Sequence, residues 1–248
     1  MALHRAAELT WTEVKKLAPK SVALLPVGST EAHGPHLPLA TDVIIAEAVC
    51  ARVAERLKAR KLETVVFPPL AYGLTEFAKV FAGTVGLGGK EVTNTIRDAA
   101  LGISQAGFAK VAVVNHHLEP AHFKAVRAGA EAARKEGAKV ACPDHRRTPW
   151  APILGPEFTH GGSHAGLYET SLVLAAAPKL VRDDIREALP AVEVDLPAAI
   201  KRGATNFHEA GGPDAYFGQP ALASAAEGNR LLDVLADATM AALDELDG

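Results

Sequence analysis

The chain has 248 residues, a formal net charge of -3, 48% hydrophobic residues and 22% charged residues. That balance is ordinary for a globular protein and carries no basic footprint, so nucleic acid is not an expected partner. The opening "MALHRAAELTW" lacks the apolar core of a signal peptide and no segment approaches the ~18 apolar residues of a membrane span, so a cytoplasmic protein without a membrane partner is expected.

No linker, charge block or fixed-period repeat interrupts the sequence, which predicts one unit over residues 1–248. Valine-rich runs at 21–28 ("SVALLPVG"), 64–70 ("TVVFPPL"), 110–116 ("KVAVVNH") and 139–143 ("KVACP") read as buried strands. Between them, apolar residues at three- and four-residue spacing predict helices over Val43 to Lys58, Glu91 to Gln105 and Ala121 to Lys135, with Gly107 and Gly137 as stops. Alternation of this kind predicts an α/β fold with a mostly parallel sheet covered on both faces, and ligand sites at the carboxyl ends of its strands. The two cysteines, Cys50 and Cys142, fall in such runs and read as core residues, so a metal would have to be held by His, Asp and Glu.

Polar clusters follow two of the strands. After the first, "PVGSTEAHGPHLPLATD" (26–42) offers Glu31 and His33 two residues apart, and so on one side of an extended segment, followed by Asp42. After the third, "NHHLEP" repeats the spacing with His117 and Glu119. These five side chains suit Zn²⁺ or Mn²⁺, and they exceed what one open catalytic ion needs; a carboxylate bridging two ions ~3.5–4 Å apart would use them all. Each has a plainer reading: Asp42 as a helix cap, Glu119 as a dipole partner at the start of the following helix. His36, His116 and His122 have no paired spacing and read as supporting or surface residues. Further on, "HGGSHAGLYETS" (160–171) sets His160, His164 and Glu169 among glycines before a helical run, where a histidine can serve as general acid/base or the segment can simply enter a helix. The glycines of "AGTVGLGG" lack the Lys-Ser/Thr of a phosphate loop, and "DHRRTPW" (144–150) reads as a solvated loop.

Taken in order, "PVGSTEAHGPHLPLATD", "FAGTVGLG", "NHHLEP", "HAGLYETS", "PKLVRDD" and "GQPALASAAEG" resemble the motifs of the creatininase family of metal-dependent hydrolases over almost the whole chain. The resemblance implies a three-layer α/β/α sandwich, a homo-oligomer that is usually a hexamer, and two divalent ions, Zn²⁺ and/or Mn²⁺ with Fe²⁺ also within the set. It implies that Glu31 and His33 bind different ions, that Asp42 bridges them, that His117 completes the first site and Glu119 the second, and that His164 is the acid/base. Glu169 matches a glutamate that is either a supporting residue or an alternative ligand. The implied activity is hydrolysis of a C–N bond in a small-molecule substrate such as a small amide, a cyclic amide or a formamide. The alternatives are a peptidase that trims a modified peptide in cofactor maturation and a metal-stabilised binding protein without turnover. Two departures weigh against creatinine itself: Leu118 stands where creatininase has a substrate-side tyrosine, and His160 stands near the place of its tryptophan, which would make both substrate-facing positions here.

Overall fold

The computed structural model describes residues 3–247. Five strands, β1 (Leu3–Arg5), β2 (Ser21–Val27), β3 (Glu63–Val66), β4 (Lys110–Asn115) and β5 (Val140–Ala141), form one parallel sheet in the order β1-β3-β2-β4-β5. The helices among the described residues are α1 (Trp11–Leu17), α2 (Thr41–Ala59), α3 (Gly89–Gln105), α4 (Pro120–Lys135), α5 (Trp150–Ile153), α6 (Pro156–His160), α7 (Leu167–Ala176), α8 (Asp183–Ala188), α9 (Leu196–Lys201), α10 (Phe207–Ala210) and α11 (Ala225–Asp244). None is long and apolar enough to cross a membrane.

The pleat sorts the strand residues between two cores. Val22, Leu24, Ala112 and Val114 point to the face covered by α2, α7 and α11, where they meet Ile45, Val49, Leu172 and Leu231. Their neighbours Ala23, Leu25, Val111 and Val113 point the other way, onto Val92 and Ile96 of α3 and Val126 and Ala130 of α4. This is the three-layer arrangement, and it explains why β2 is buried along its whole length and lacks alternation in its sequence. A side chain such as Leu24, fully buried in the sheet, contributes about 1.5–3 kcal/mol by leaving water.

The predicted helices extend a residue or two at their starts, and Gly107 and Gly137 do end α3 and α4, with φ of 104° and 95°. The run at 64–70 yields only a four-residue strand, because Pro68 and Pro69 have no N–H to give the ladder. The run at 139–143 shortens to the edge pair Val140–Ala141. Both cysteines are free; Cys50 is buried and Cys142 partly so.

From the centre of the sheet, β2 connects to β3 on one side and β4 to β5 on the other. The chain therefore diverges between β2 and β4, and the loops leaving their carboxyl ends open a crevice where ligands of such sheets bind. A third, smaller core of Phe207, Phe217, Ala210 and Ala215, backed by Phe77 and Leu196, builds a wall beside that crevice.

Candidate metal centre

Gly28 ends β2 against the first turn of α2, where a Cβ would lie 2.7 Å from the Val43 nitrogen and 2.8 Å from the Asp42 Cβ. Only glycine lets the helix start so close to the strand, and the approach turns Asp42 inward. The helix begins at Thr41 with no side-chain cap, so Asp42 is not a capping residue. Its carboxylate accepts the Ser29 N–H at 3.2 Å.

Around it the structure gathers Glu31, His33, His117, His164 and Glu169, all buried. Asp42 Oδ1 lies 3.2 Å from His33 Nε2, and Oδ2 lies 3.0 Å from His117 Nδ1. Glu31 Oε1 is 3.2 Å from the same His117 nitrogen, and Glu169 Oε2 is 3.5 Å from His33 Nε2. Two groups with mutually close ligand atoms result, Glu31–Asp42–His117 and His33–Asp42–Glu169, which share Asp42. A third, Glu31–His33–His164, overlaps both.

The tautomers are fixed from outside the cluster. His33 Nδ1–H donates to the Glu31 carbonyl at 3.1 Å, His117 Nε2–H to the Leu74 carbonyl at 2.8 Å, and His164 Nε2–H to the Ala32 carbonyl at 3.0 Å. Each ring therefore turns its other nitrogen toward carboxylate oxygens, where it can carry a proton or offer its lone pair to a cation. That of His33 is buried and makes no well-formed hydrogen bond, so among these oxygens it calls for a positive charge, a proton or a metal ion.

The electrostatics agree. Burial opposes charge on His33, but Asp42, Glu169 and Glu31 overcome it and push the ring up to about 10. Burial likewise opposes charge on His117, and Glu31 and Asp42 hold it well above the usual imidazole range. Against their own burial, Glu31 falls to about 2 beside His117, and Asp42 falls well below the carboxylate range between the two histidines. Glu169 goes the other way, to about 8, through burial and the repulsion of Asp42 and Glu31. A field that holds protons on two buried imidazoles holds divalent cations in their place, with those protons released. The donor set fits one or two such ions.

A supporting layer orders the ligands. Thr75 donates its hydroxyl to Glu31 Oε2. Asn115 brackets His117 from the end of β4, donating Nδ2–H to its carbonyl at 2.8 Å, and accepts a hydrogen bond from His122 Nε2–H at 2.9 Å. His122 in turn takes the Leu74 N–H on Nδ1 at 3.1 Å and stays neutral, pulled to about 3 by burial and His117. His36 bonds Thr170, and His116 bonds Tyr168 beneath the site. All three are buried supporting residues and none is a surface one. Ala165 adopts φ of 50°, which turns its N–H onto Glu169 Oε2 at 2.7 Å. That local strain at a non-glycine residue has its compensation in the placement of Glu169.

Glu119 and His160 are placed elsewhere. Glu119 caps α4 in position only; its Oε2 accepts the Glu76 and Phe77 amides at 2.8 and 3.3 Å and lies outside all three ligand groups. Glu119 is thus turned to those amides, whereas His117 Nδ1 faces Glu31 and Asp42. His160 is exposed at the end of α6, where Nδ1–H folds back onto the Pro156 carbonyl at 2.8 Å, so its neighbours Thr159 and Gly161 line the cavity and it does not.

The cavity above the cluster measures about 340 Å³. Its floor is the carboxylate–histidine cluster, and its walls are Phe77, Leu118, Phe158, Leu196, Ile200 and Phe207, with Arg146 at one side. Phe158, Leu196, Ile200 and Phe207 come from short helices and Phe77 and Leu118 from irregular segments; of these, only Leu118 is marked in the sequence, by the family resemblance.

Comparison with known proteins places this geometry. A model of the creatininase (creatinine amidohydrolase) family matches residues 7–243. The chain is 35% identical to a mycofactocin precursor peptide peptidase of Mycobacterium tuberculosis, with 86% of this chain and 81% of that protein aligned. It is 34% identical to a creatinine amidohydrolase of Pseudomonas putida, with 70% and 72% aligned. Among solved structures, a manganese form of creatininase superposes with a TM-score of 0.75 at 27% identity, covering 98% of each chain. With the family model spanning nearly the whole chain, the protein belongs to the creatininase family and is a hydrolase of that family acting on C–N bonds.

Proposed function

We propose that the protein is a dinuclear metal-dependent hydrolase that cleaves the amide bond of an extended, largely apolar substrate. The observation that carries this reading is a single carboxylate, Asp42, shared between two groups of ligands at the floor of the cavity. Glu31, Asp42 and His117 would hold one ion, and His33, Asp42 and Glu169 the other. Bound there, divalent ions supply Lewis-acid polarisation of a carbonyl and acidify a water toward neutral pH.

His164 has the geometry of a proton carrier. Its Nδ1 stands 3.8 Å from Glu31 and 4.0 Å from Glu169, farther than the 3.0–3.5 Å that separates the closest pairs among the other five residues. Burial and the neighbouring His33 lower it to about 4, so at neutral pH Nδ1 is a base facing the cavity. It takes a proton from the attacking water and delivers it to the leaving nitrogen, while Nε2–H stays on the Ala32 carbonyl and keeps the ring in place.

Cavity size supports one of the two substrate readings. About 340 Å³ with six large apolar walls is at the lower end of the range for drug-sized ligands and well above the need of one flat ring. Leu118 contributes one of these walls, so the creatininase tyrosine is replaced by apolar surface. This supports a peptide-like amide over creatinine, in keeping with the peptidase relatives. Exposed Tyr72, Val80, Val85 and Leu87 on one connected segment support a homo-oligomer, which sedimentation velocity tests.

The test is turnover by the metal-loaded protein of a panel of apolar dipeptides, formamides and lactams, read as released amine. Cleavage of dipeptides in preference to lactams is expected. Full metal loading with no cleavage of any member would favour a metal-stabilised binding protein.

A further inference from the structure

The loop from Asp144 to Trp150, read from sequence as solvated, sends Arg146 into the wall of the cavity. Among the described residues, Arg146 is the only lysine or arginine that lines this cavity. Its guanidinium lies 3.5 Å over the ring of Phe123, and Nε and Nη2 reach Asp144 Oδ1 and Oδ2 at 3.0 and 3.3 Å. Those contacts fix the plane of the group from behind, and among the described residues no acceptor takes the hydrogens of Nη1.

Asp144 does not neutralise the group. Arg127 and Arg147 also reach its carboxylate, each at 3.2 Å, so three guanidinium groups share one anion. The side chain of Arg146 remains 32% exposed beside walls that are largely apolar. A positive excess, held rigid at the side of an apolar cavity whose acidic groups are gathered at the floor, is complementary to a ligand with an anionic group set apart from its reacting bond. Glu119, the remaining acid of the cavity, is occupied by the Glu76 and Phe77 amides.

We infer that Arg146 is a specificity-determining residue that binds a carboxylate of the substrate, so the favoured substrate is an apolar amide with a free carboxylate remote from the scissile bond. The inference rests on the amidohydrolase reading for the location of that bond, and the planar fork of Arg suits a carboxylate bidentately through Nη1 and the outer edge of the group.

The test is calorimetric binding of N-acetyl-leucyl-phenylalanine and of its C-terminal amide to the zinc-loaded protein, with the acetyl group removing chelation by a free amine. The free acid is expected to bind about ten- to hundred-fold tighter than the amide, the range for a hydrogen-bonded ion pair. Arg146→Gln should remove that preference without weakening the amide, and Arg146→Lys should keep part of it. Metal content measured on each variant shows that the floor of the site is intact. Equal binding of acid and amide to the unmodified protein, a preference that survives in Arg146→Gln, or no binding of the acid at millimolar concentration would each overturn the inference. A preference that depends on Arg146 in a protein that cleaves nothing would leave it standing and would count against the hydrolase reading alone.

Discussion

Replacing Asp42 by asparagine keeps the shape of the side chain and removes its charge together with one of its two acceptor oxygens. In the structure those oxygens face different histidines, Oδ1 toward His33 at 3.2 Å and Oδ2 toward His117 at 3.0 Å, so the loss falls on both ligand groups at once. With each ion at about 100 times its dissociation constant, mass action adds about 2.7 kcal/mol per ion, and two ions together add about 5 kcal/mol. In a chain of this size each kcal/mol moves Tm by about 2–4 °C, so the loaded protein should melt about 10–20 °C above the stripped one. A hundred-fold weakening of both ions reduces the gain to under about 1 kcal/mol and the shift to under ~4 °C. Scanning calorimetry of loaded and stripped forms, for the unmodified protein and for Asp42→Asn, isolates this metal term from any change in the stripped state. A variant that keeps half the shift and one ion at undiminished affinity would refute the shared role of Asp42.

Two further outcomes follow from the same geometry. On the proposed role of His164 as a proton carrier and not an ion ligand, His164→Ala should keep its metal while kcat falls by roughly 10²–10⁴; metal loss in that variant, measured by elemental analysis, would make it a ligand. Glu169→Gln should lose metal, since Glu169 Oε2 lies 3.5 Å from His33 Nε2, whereas Glu119→Gln should retain it, since that carboxylate binds the Glu76 and Phe77 amides; the reverse pattern in metal titrations would exchange the two glutamates.

Much of the floor of the site was legible because it obeys local rules. Glu31, His33 and Asp42 follow β2 and His117 follows β4, and strands that read as buried apolar runs announce the edge at which such residues meet. The inward turn of Asp42 was not legible, since sequence alone fits a cap equally well and the choice is made by the close approach of Gly28 to the helix. The resemblance ranks Glu119 as a ligand and Glu169 as a support or an alternative; in the structure Glu119 is engaged by the Glu76 and Phe77 amides, and Ala165, in a left-handed conformation, anchors Glu169 beside His33, contacts between distant segments that the sequence does not display. Apart from Leu118, the cavity walls were invisible for a different reason. Phe158, Leu196 and Phe207 come from short helices in the last 100 residues, brought over β4 and β2 by tertiary packing, with no periodicity that distinguishes a wall residue from a core one. The role of Arg146 was hidden likewise, because a charged loop looks the same in sequence whether it faces solvent or a cavity.

The central claim is that one carboxylate joins two ions. Anomalous diffraction from crystals of the metal-loaded protein, collected at the edge of the bound metal, tests it directly. Two peaks per chain are predicted, roughly 3.5–4 Å apart, with one oxygen of Asp42 on each. A single peak, or two peaks that share no carboxylate, would contradict the account.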